Sequence, residues 1–462
     1  MRSLPVLFLA GLLLSGAAVS SAPEPVVRFY VRLTSDSDWT RWKPEGAAFL
    51  GRAIDPAPAT DDSSGYRTAG VGFLGIFQPI KTRKKVSVLF EVYATDVQRP
   101  LKFSLRKGDL GEAKFELFVN RPEGHATPDV TLMNTGKVPG DPENPAPGEI
   151  PSDVVERFER MELPDLGFSR HVLAFYYPWY GNPAGASKRW SHWNPHLKSH
   201  AARHTPQLGW YDSGDEATVR QHIAWAQQAG VDGFIVSWWG PDSFEDRKMA
   251  LLLKSADAAH FSISVYLERG STPEQVTAEI EYLIQHYASS PAFLREEGEP
   301  VIFVYGRVLE SMDTAEKWRQ VRDALTRDHV SVFLVCDTFN LKLASEFDGV
   351  HNYNPVLQPV DQVASVYQAV GIGARLAGKL FAATVVPGYD DTRVRTPGNV
   401  AERKDGALYR AFWEAALSAN PEWILITSFN EWHEGSEIEP SKELRDQYLK
   451  LTQESAAEFQ SH

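Results

Sequence analysis

Trp423-Ile424-Leu425-Ile426-Thr427-Ser428-Phe429-Asn430-Glu431-Trp432-His433-Glu434-Gly435 begins as a short apolar run and breaks off into polar, acidic and aromatic residues. A run of that length suits a strand buried on both faces. Seven comparable runs precede it, at 171–179, 232–239, 261–268, 300–306, 331–337, 347–353 and 380–387. Helical patterns lie between most of them: Glu216 to Gln228, Pro273 to Tyr287, Thr314 to Arg327 and Gly406 to Ala419. Eight strand-then-helix units in ~290 residues have the size and rhythm of a (β/α)8 TIM barrel, with a doubly wound open sheet as the structural alternative. The crossover at 338–346 is very short and is the weakest of the eight units.

Upstream the pattern changes. Residues 25–135 alternate in strand-like runs such as Val26-Val27-Arg28-Phe29-Tyr30-Val31 and Val86-Ser87-Val88-Leu89-Phe90-Glu91-Val92, broken by Gly, Pro and Asp clusters. They predict a small all-β, sandwich-like domain at 23–135. A Pro- and Gly-rich stretch at 136–152 has no apolar period and is expected to be a linker to the barrel at 153–462, which should then fold as its own unit. Residues 1–22 carry Arg2, the apolar Leu4 to Leu14 and Ala18-Val19-Ser20, the pattern of a secretory signal with a small-residue cleavage site. That leaves a protein with no membrane segment once the signal is removed, secreted or periplasmic and expected as a monomer; an uncleaved anchor is the alternative. The absence of any N-x-[ST] sequon points to a bacterial source. Cys336, the single cysteine, sits in an apolar run and is expected to be buried and inert.

A net charge of −13 removes the basic surface that a nucleic-acid or anionic-membrane partner requires. The 13 Trp, 16 Tyr and 24 Phe suit a neutral, ring-shaped ligand, although most aromatics serve the core. In a barrel the site lies at the carboxyl ends of the strands. There the runs end in Tyr177 and Trp179, in Trp238, in Glu268, in Tyr305, in Tyr353 and in Asn430-Glu431-Trp432-His433-Glu434; the loop after the first run adds His192, Trp193 and Asn194. Glu431 and Glu434 are the catalytic candidates. Breaking a glycosidic bond takes one carboxyl that gives up a proton and one that is ionised, and residues three apart share one side of a helical turn. Read alone, E-x-x-E is more often a solvated acidic loop, and Glu437 and Glu439 follow; its place at a strand end reverses that preference. His192, His196 and His433 invite a zinc site, but Pro195 interrupts the helix that would align the first two, so neither metal nor cofactor is expected. Asp390-Asp391-Thr392-Arg393 is read as a charged loop bracing the rim. G-x-S-x-G does not occur, which counts against an esterase.

At these residues the chain resembles glycoside hydrolase family 99, the endo-α-mannosidase and endo-α-1,2-mannanase family. The resembling segments are Y-Y-P-W-Y-G-N-P at 176–183, H-W-N at 192–194, D-G-F-I-V-S-W-W at 232–239, F-D-G-V at 347–350, P-G-Y-D-D-T-R at 387–393 and S-F-N-E-W-H-E-G at 428–435. The resemblance implies an endo-acting, retaining hydrolase of α-mannosidic linkages in a mannose-containing oligo- or polysaccharide. It implies that Glu431 is a base on the substrate's own 2-hydroxyl and Glu434 the acid/base, with Glu268 and Tyr353 on the reacting sugar. Two segments depart from the family pattern: Tyr266-Leu267-Glu268-Arg269 where endomannosidases read H-L-E-P, and Asn354-Pro355-Val356-Leu357 after Tyr353. A retaining glycosidase of other specificity, a non-catalytic carbohydrate-binding protein and a polysaccharide-assembly enzyme are the competing readings.

Overall fold

The computed structural model describes residues 25–56, 65–95, 97–137, 141, 143–193 and 202–461. The expected signal at 1–22, Asn194 and His196 lie outside the described residues.

Eight parallel strands form a closed barrel: β1 (His171–Tyr176), β2 (Gly233–Trp238), β3 (Ser262–Leu267), β4 (Glu299–Val304), β5 (Phe333–Asp337), β6 (Gly349–His351), β7 (Leu380–Val385) and β8 (Trp423–Ile426). Each pairs with the next, and β8 pairs back onto β1. The longer helices outside the barrel are α1 (Glu216–Gln228), α2 (Asp246–Ala259), α3 (Pro273–Tyr287), α4 (Ala315–Arg327), α5 (Val360–Leu376) and α6 (Ala407–Leu417), which lie between strands, and α7 (Gln447–Ser461), which follows β8; a short helix, Gly306–Ser311, precedes α4. Thr272 and Thr314 cap α3 and α4, each accepting a backbone N–H through its hydroxyl. Between β5 and β6 a single 3-10 turn, Leu343–Glu346, replaces the eighth helix. The barrel anticipated from the sequence is therefore present, and the open sheet is excluded by closure.

Alternation along the strands decides which residues reach the site. Leu173, Phe175, Ile235, Tyr266, Phe303, Val335 and Leu425 fill the barrel interior. Their neighbours Ala174, Tyr176, Phe234, Val236, Trp238 and Leu267 face the helices instead.

Ahead of the barrel, a six-stranded sheet runs in the order Ala48–Asp55, Val86–Thr95, Val26–Ser35, Ala113–Phe118, Val130–Asn134, with Glu159–Met161 also paired to Val26–Ser35. A five-stranded sheet, Ala146–Ile150, Leu101–Lys107, Trp39–Pro44, Leu74–Phe77, Arg67–Ala69, faces it. Phe29, Val31, Trp42, Phe103 and Phe115 fill the space between, Trp42 stacking on Phe115 at 5.5 Å. The stretch expected as a linker departs from that expectation. Ala146–Ile150 pairs with Leu101–Leu105 and buries Ile150, because alternation across five residues outweighs the one proline, Pro147, at an edge strand. Residues 159–161 also remain part of the β-domain, so its end lies past residue 153.

The two parts share a small apolar seam. Leu50, Tyr93 and Val26 pack with Ile372 of α5 and with Leu341, which lies in the short crossover between β5 and β6. Gly373 allows this approach. A Cβ there would stand 2.5 Å from Leu341 Cδ1 and 3.0 Å from Leu50 Cδ2.

Candidate active site

The loop after β8 is the centre of the site, and it is not a solvated acidic loop. Glu431, Glu437 and Glu439 are all nearly inaccessible. Ser428 Oγ accepts the Glu431 amide at 2.7 Å, and Glu431 Oε1 accepts the His433 amide at 3.0 Å, a local turn that aims the carboxyl into the barrel mouth. Asn430 ties this loop to β1: its Oδ1 accepts the Tyr177 amide at 2.8 Å and its Nδ2 donates to the Tyr177 carbonyl at 3.2 Å. Asn430 thus positions the loop.

Burial is the main cause that pushes the Glu431 carboxyl well above its ordinary range, and the charge of Glu434 adds to it. Glu268, at the end of β3, is buried and is pushed up to about 8 by desolvation, against the hydrogen bond from Ser237 Oγ at 2.6 Å. Glu431, Glu434 and Glu268 feel one another's charge. Burial of Glu431 and Glu268 in one low-dielectric mouth disfavours ionising both together. Tyr177 and Tyr353 sit in the midst of the three. Their hydroxyls share a hydrogen bond of 2.5 Å across the mouth from β1 to the segment after β6. Burial raises both phenols well above their ordinary values, so both remain neutral donors.

Glu434 is half-buried and accepts from Arg395 Nη2 at 2.9 Å. Around the rim, Trp179 stacks on His192 at 4.4 Å with planes 3° apart, and His192 lies 5.3 Å from His433. His433 Nε2 donates to the His192 carbonyl at 2.6 Å. These rings form a stack; among the described residues no group of three potential ligands converges, and His196 lies outside them. Trp193 is buried against Tyr180 at 4.0 Å, so it supports the loop from beneath. Tyr305 lies beside Glu268, within reach of its charge.

Trp238 is the expected site residue that the fold keeps away. It faces the helices, fully buried, with its indole N–H donated to Asp246 of α2 at 2.8 Å. Its neighbours take the place: Ser237 holds Glu268, and Trp239, 37% exposed, donates to Ser237 Oγ at 3.1 Å. Arg269, where the family pattern has proline, turns outward to Glu279 of α3. The sequence reading also missed Asp337, which accepts from Tyr266 OH and from the Tyr353 amide, and the support beneath Trp432. There Glu439 Oε2 accepts from Trp432 Nε1 at 3.0 Å and from Tyr211 OH at 2.7 Å, while Glu439 Oε1 lies 3.2 Å from His222 Nε2. Period-two alternation would have placed Ser237 and Asp337 inward; nothing in the sequence marks the pairing of Glu439 with His222, 217 positions apart by their numbers.

A polar, aromatic-rimmed mouth over three facing carboxyls is the geometry of a site that handles sugars. The family model described as Glycosyl hydrolase family 99 matches residues 167–456. The chain belongs to that family. Its family 99 barrel is similar to the GH99 endo-alpha-mannosidase of Bacteroides thetaiotaomicron, with a TM-score of 0.57 and 28% identity over 63% of this chain and 98% of that one. It is 29% identical to the glycoprotein endo-alpha-1,2-mannosidase of Mus musculus over 60% of this chain and 69% of the relative. It is equally similar to a glycoprotein endo-alpha-1,2-mannosidase-like protein of Danio rerio, 29% over 64% of this chain and 80% of the relative. As a family 99 member the protein is a glycoside hydrolase. These vertebrate relatives lend no support to the expected bacterial source.

Proposed function

We propose that this protein is an endo-acting, retaining α-mannosidase whose substrate is a mannose-containing oligo- or polysaccharide. The observation that carries the reading is the trio of Glu431, Glu434 and Glu268 around the Tyr177–Tyr353 hydroxyl pair, in a chain of family 99. Glu431, deep in the mouth, takes the proton of the substrate's 2-hydroxyl, whose oxygen attacks the anomeric carbon. Glu434, nearer the rim, protonates the departing oxygen and then draws a proton from the incoming water, which bonds the anomeric carbon as its bond to the 2-oxygen breaks and Glu431 returns the proton to that oxygen. Glu268 and the paired tyrosines hold the reacting sugar, and the Trp179 and His192 rings border it. No residue of this scheme calls for a metal. The pattern at 1–22 supports action outside the cytoplasm.

Leaving-group dependence tests the two roles. Glu434→Gln should lose cleavage of an α-mannan yet keep much of its rate on an aryl or fluoride glycoside, where protonation is dispensable, whereas Glu431→Gln should be inactive on both. A covalent ester on Glu431, seen as a mass increase after a 2-fluoro sugar with an activated leaving group, would show a direct nucleophile instead. Full activity of both variants would remove the pair from catalysis.

A further inference from the structure

The segment after β7 begins as Tyr389-Asp390-Asp391-Thr392-Arg393, and the chemistry above leaves it without a task. Its ends are pinned. Tyr389 and Asp390 pair with Val400 and Ala401 in a two-residue ladder, and the Asp390 amide donates to the Glu434 carbonyl at 2.7 Å. Asp390 is ion-paired with Arg203, and Asp391 Oδ1 accepts the Asn399 amide at 2.6 Å. Between those anchors, residues 392–397 are exposed. From this exposed stretch Arg395 reaches back into the mouth. Its Nη1 donates to Asp391 Oδ2 at 2.5 Å and to Tyr389 OH at 2.8 Å, and its Nη2 donates to Glu434 Oε1 at 2.9 Å. One guanidinium therefore bridges a fully buried carboxylate and the carboxyl assigned to proton donation, a fork geometry that fixes orientation as well as charge.

Resting on the assignment of Glu434 as acid/base, we propose that Arg395 is a positioning residue that holds Glu434 over the mouth as its charged partner until a glycan enters, and that the bond loosens for protonation. A carboxyl that must give up a proton is poorly served by a permanent cation, and the exposed stretch at 392–397 gives Arg395 room to withdraw. The groups that face Glu434 are otherwise anionic or neutral: Glu431 and Glu268 from β8 and β3, and the phenols Tyr177, Tyr305, Tyr353 and Tyr389. Arg395 is the cation in contact with it, and His433 lies next along the loop with its ring toward Glu431.

The test is the pH dependence of kcat/KM, which reports the free enzyme. In Arg395→Met the alkaline limb measured on an α-mannan should move to higher pH by about one unit, the lower end of what an adjacent opposite charge produces, since half of the arginine faces solvent. Arg395→Lys should bring the limb back most of the way. On an aryl glycoside with a good leaving group the limb of Arg395→Met should coincide with the parent's, because no proton donor is needed. Asp391→Asn, which unties the guanidinium from its second anchor, should move the mannan limb in the same direction by less, and serves if Arg395→Met does not fold. Limbs that overlay the parent's in these variants, with unaltered melting temperature, overturn the proposal. Parent-like mannan cleavage by Glu434→Gln would instead sink the acid role on which it rests, and the two failures are separate readings.

Discussion

Replacing Glu439 by leucine probes the support under the catalytic loop. The side chain is fully buried; it accepts from Trp432 Nε1 and Tyr211 OH and lies 3.2 Å from His222 Nε2, whose Nδ1 shares a hydrogen bond of 3.0 Å with Tyr176 OH. Leucine fills similar volume but accepts nothing, so an indole N–H and a phenol O–H lose their acceptor in a dry interior. At about 1–2 kcal/mol for each of these two groups the loss sums to about 2–4 kcal/mol. For a chain of 462 residues the unfolding entropy is about 1 kcal/mol/K, so each kcal/mol corresponds to about 1 °C and the melting temperature should fall by about 2–4 °C. Because Trp432 lies between Glu431 and Glu434, kcat should fall while the protein is still folded. Thermal melts by near-ultraviolet circular dichroism, with steady-state rates at 20 °C below the midpoint, read both effects. Combining Glu439→Leu with His222→Leu should cost less than the sum of the singles, since the two side chains adjoin and the second loss meets fewer partners. A loss under about 1 kcal/mol for the single variant, or a double variant worse than the sum, would refute the account.

Glu268, protonated in the fold up to about pH 8 but ionised in the unfolded chain above its ordinary 4.5, binds an extra proton in the native state between those values. Stability should therefore fall as pH rises through that window, and Glu268→Gln should gain on the parent by up to ~4 kcal/mol between pH 5 and 8 in urea titrations; a constant difference would refute it. His351 has the opposite sign. Fully buried among Phe175, Tyr266 and Phe303, it is lowered to about 4 by desolvation, so the stability present above pH 6.5 is lost as pH falls toward 4, and His351→Phe should flatten that acid limb by roughly 3 kcal/mol. Gly373→Val should cost about 1–3 kcal/mol in thermal unfolding, because its side chain collides with Leu341 and Leu50; a neutral result would mean that the seam between β-domain and barrel yields freely.

The barrel was legible because each strand is buried on both sides and so reads as an uninterrupted apolar run, and because four of its helices carry strong periodicity. Helix α2 went unread: Asp246 and Lys248 stand at its start, buried, and their polar letters hide an apolar side whose cost is met by Trp238, Tyr282 and Tyr287 bonding Asp246. Glu431 and Glu434 were found by chemistry and place. Trp238 was misplaced because two adjacent tryptophans end β2 and only one can face inward, which alternation from Ile235 would have decided. Arg395, His222 and Glu439 could not have been read, since their meaning lies in partners brought near by closure of the barrel. The edge strand Ala146–Ile150 was hidden by Pro147 and the prolines ahead of it; Pro147 is tolerated where no further strand needs the N–H.

The single turn between β5 and β6 leaves the ring of helices one member short, and Leu50, Tyr93 and Val26 of the β-domain stand against Leu341 at that place. The β-domain thus serves as a surrogate eighth helix, a stave of foreign make in the wall of the cask. A detached barrel would present Leu341 and Ile372 to water, so trimming the chain at residue 153 cuts through a shared wall. Building a barrel that stands alone would require a full amphipathic helix spliced into 338–346, long enough to cover both residues, and the length of that splice would mark how much of the enzyme's architecture has been delegated to its N-terminal partner.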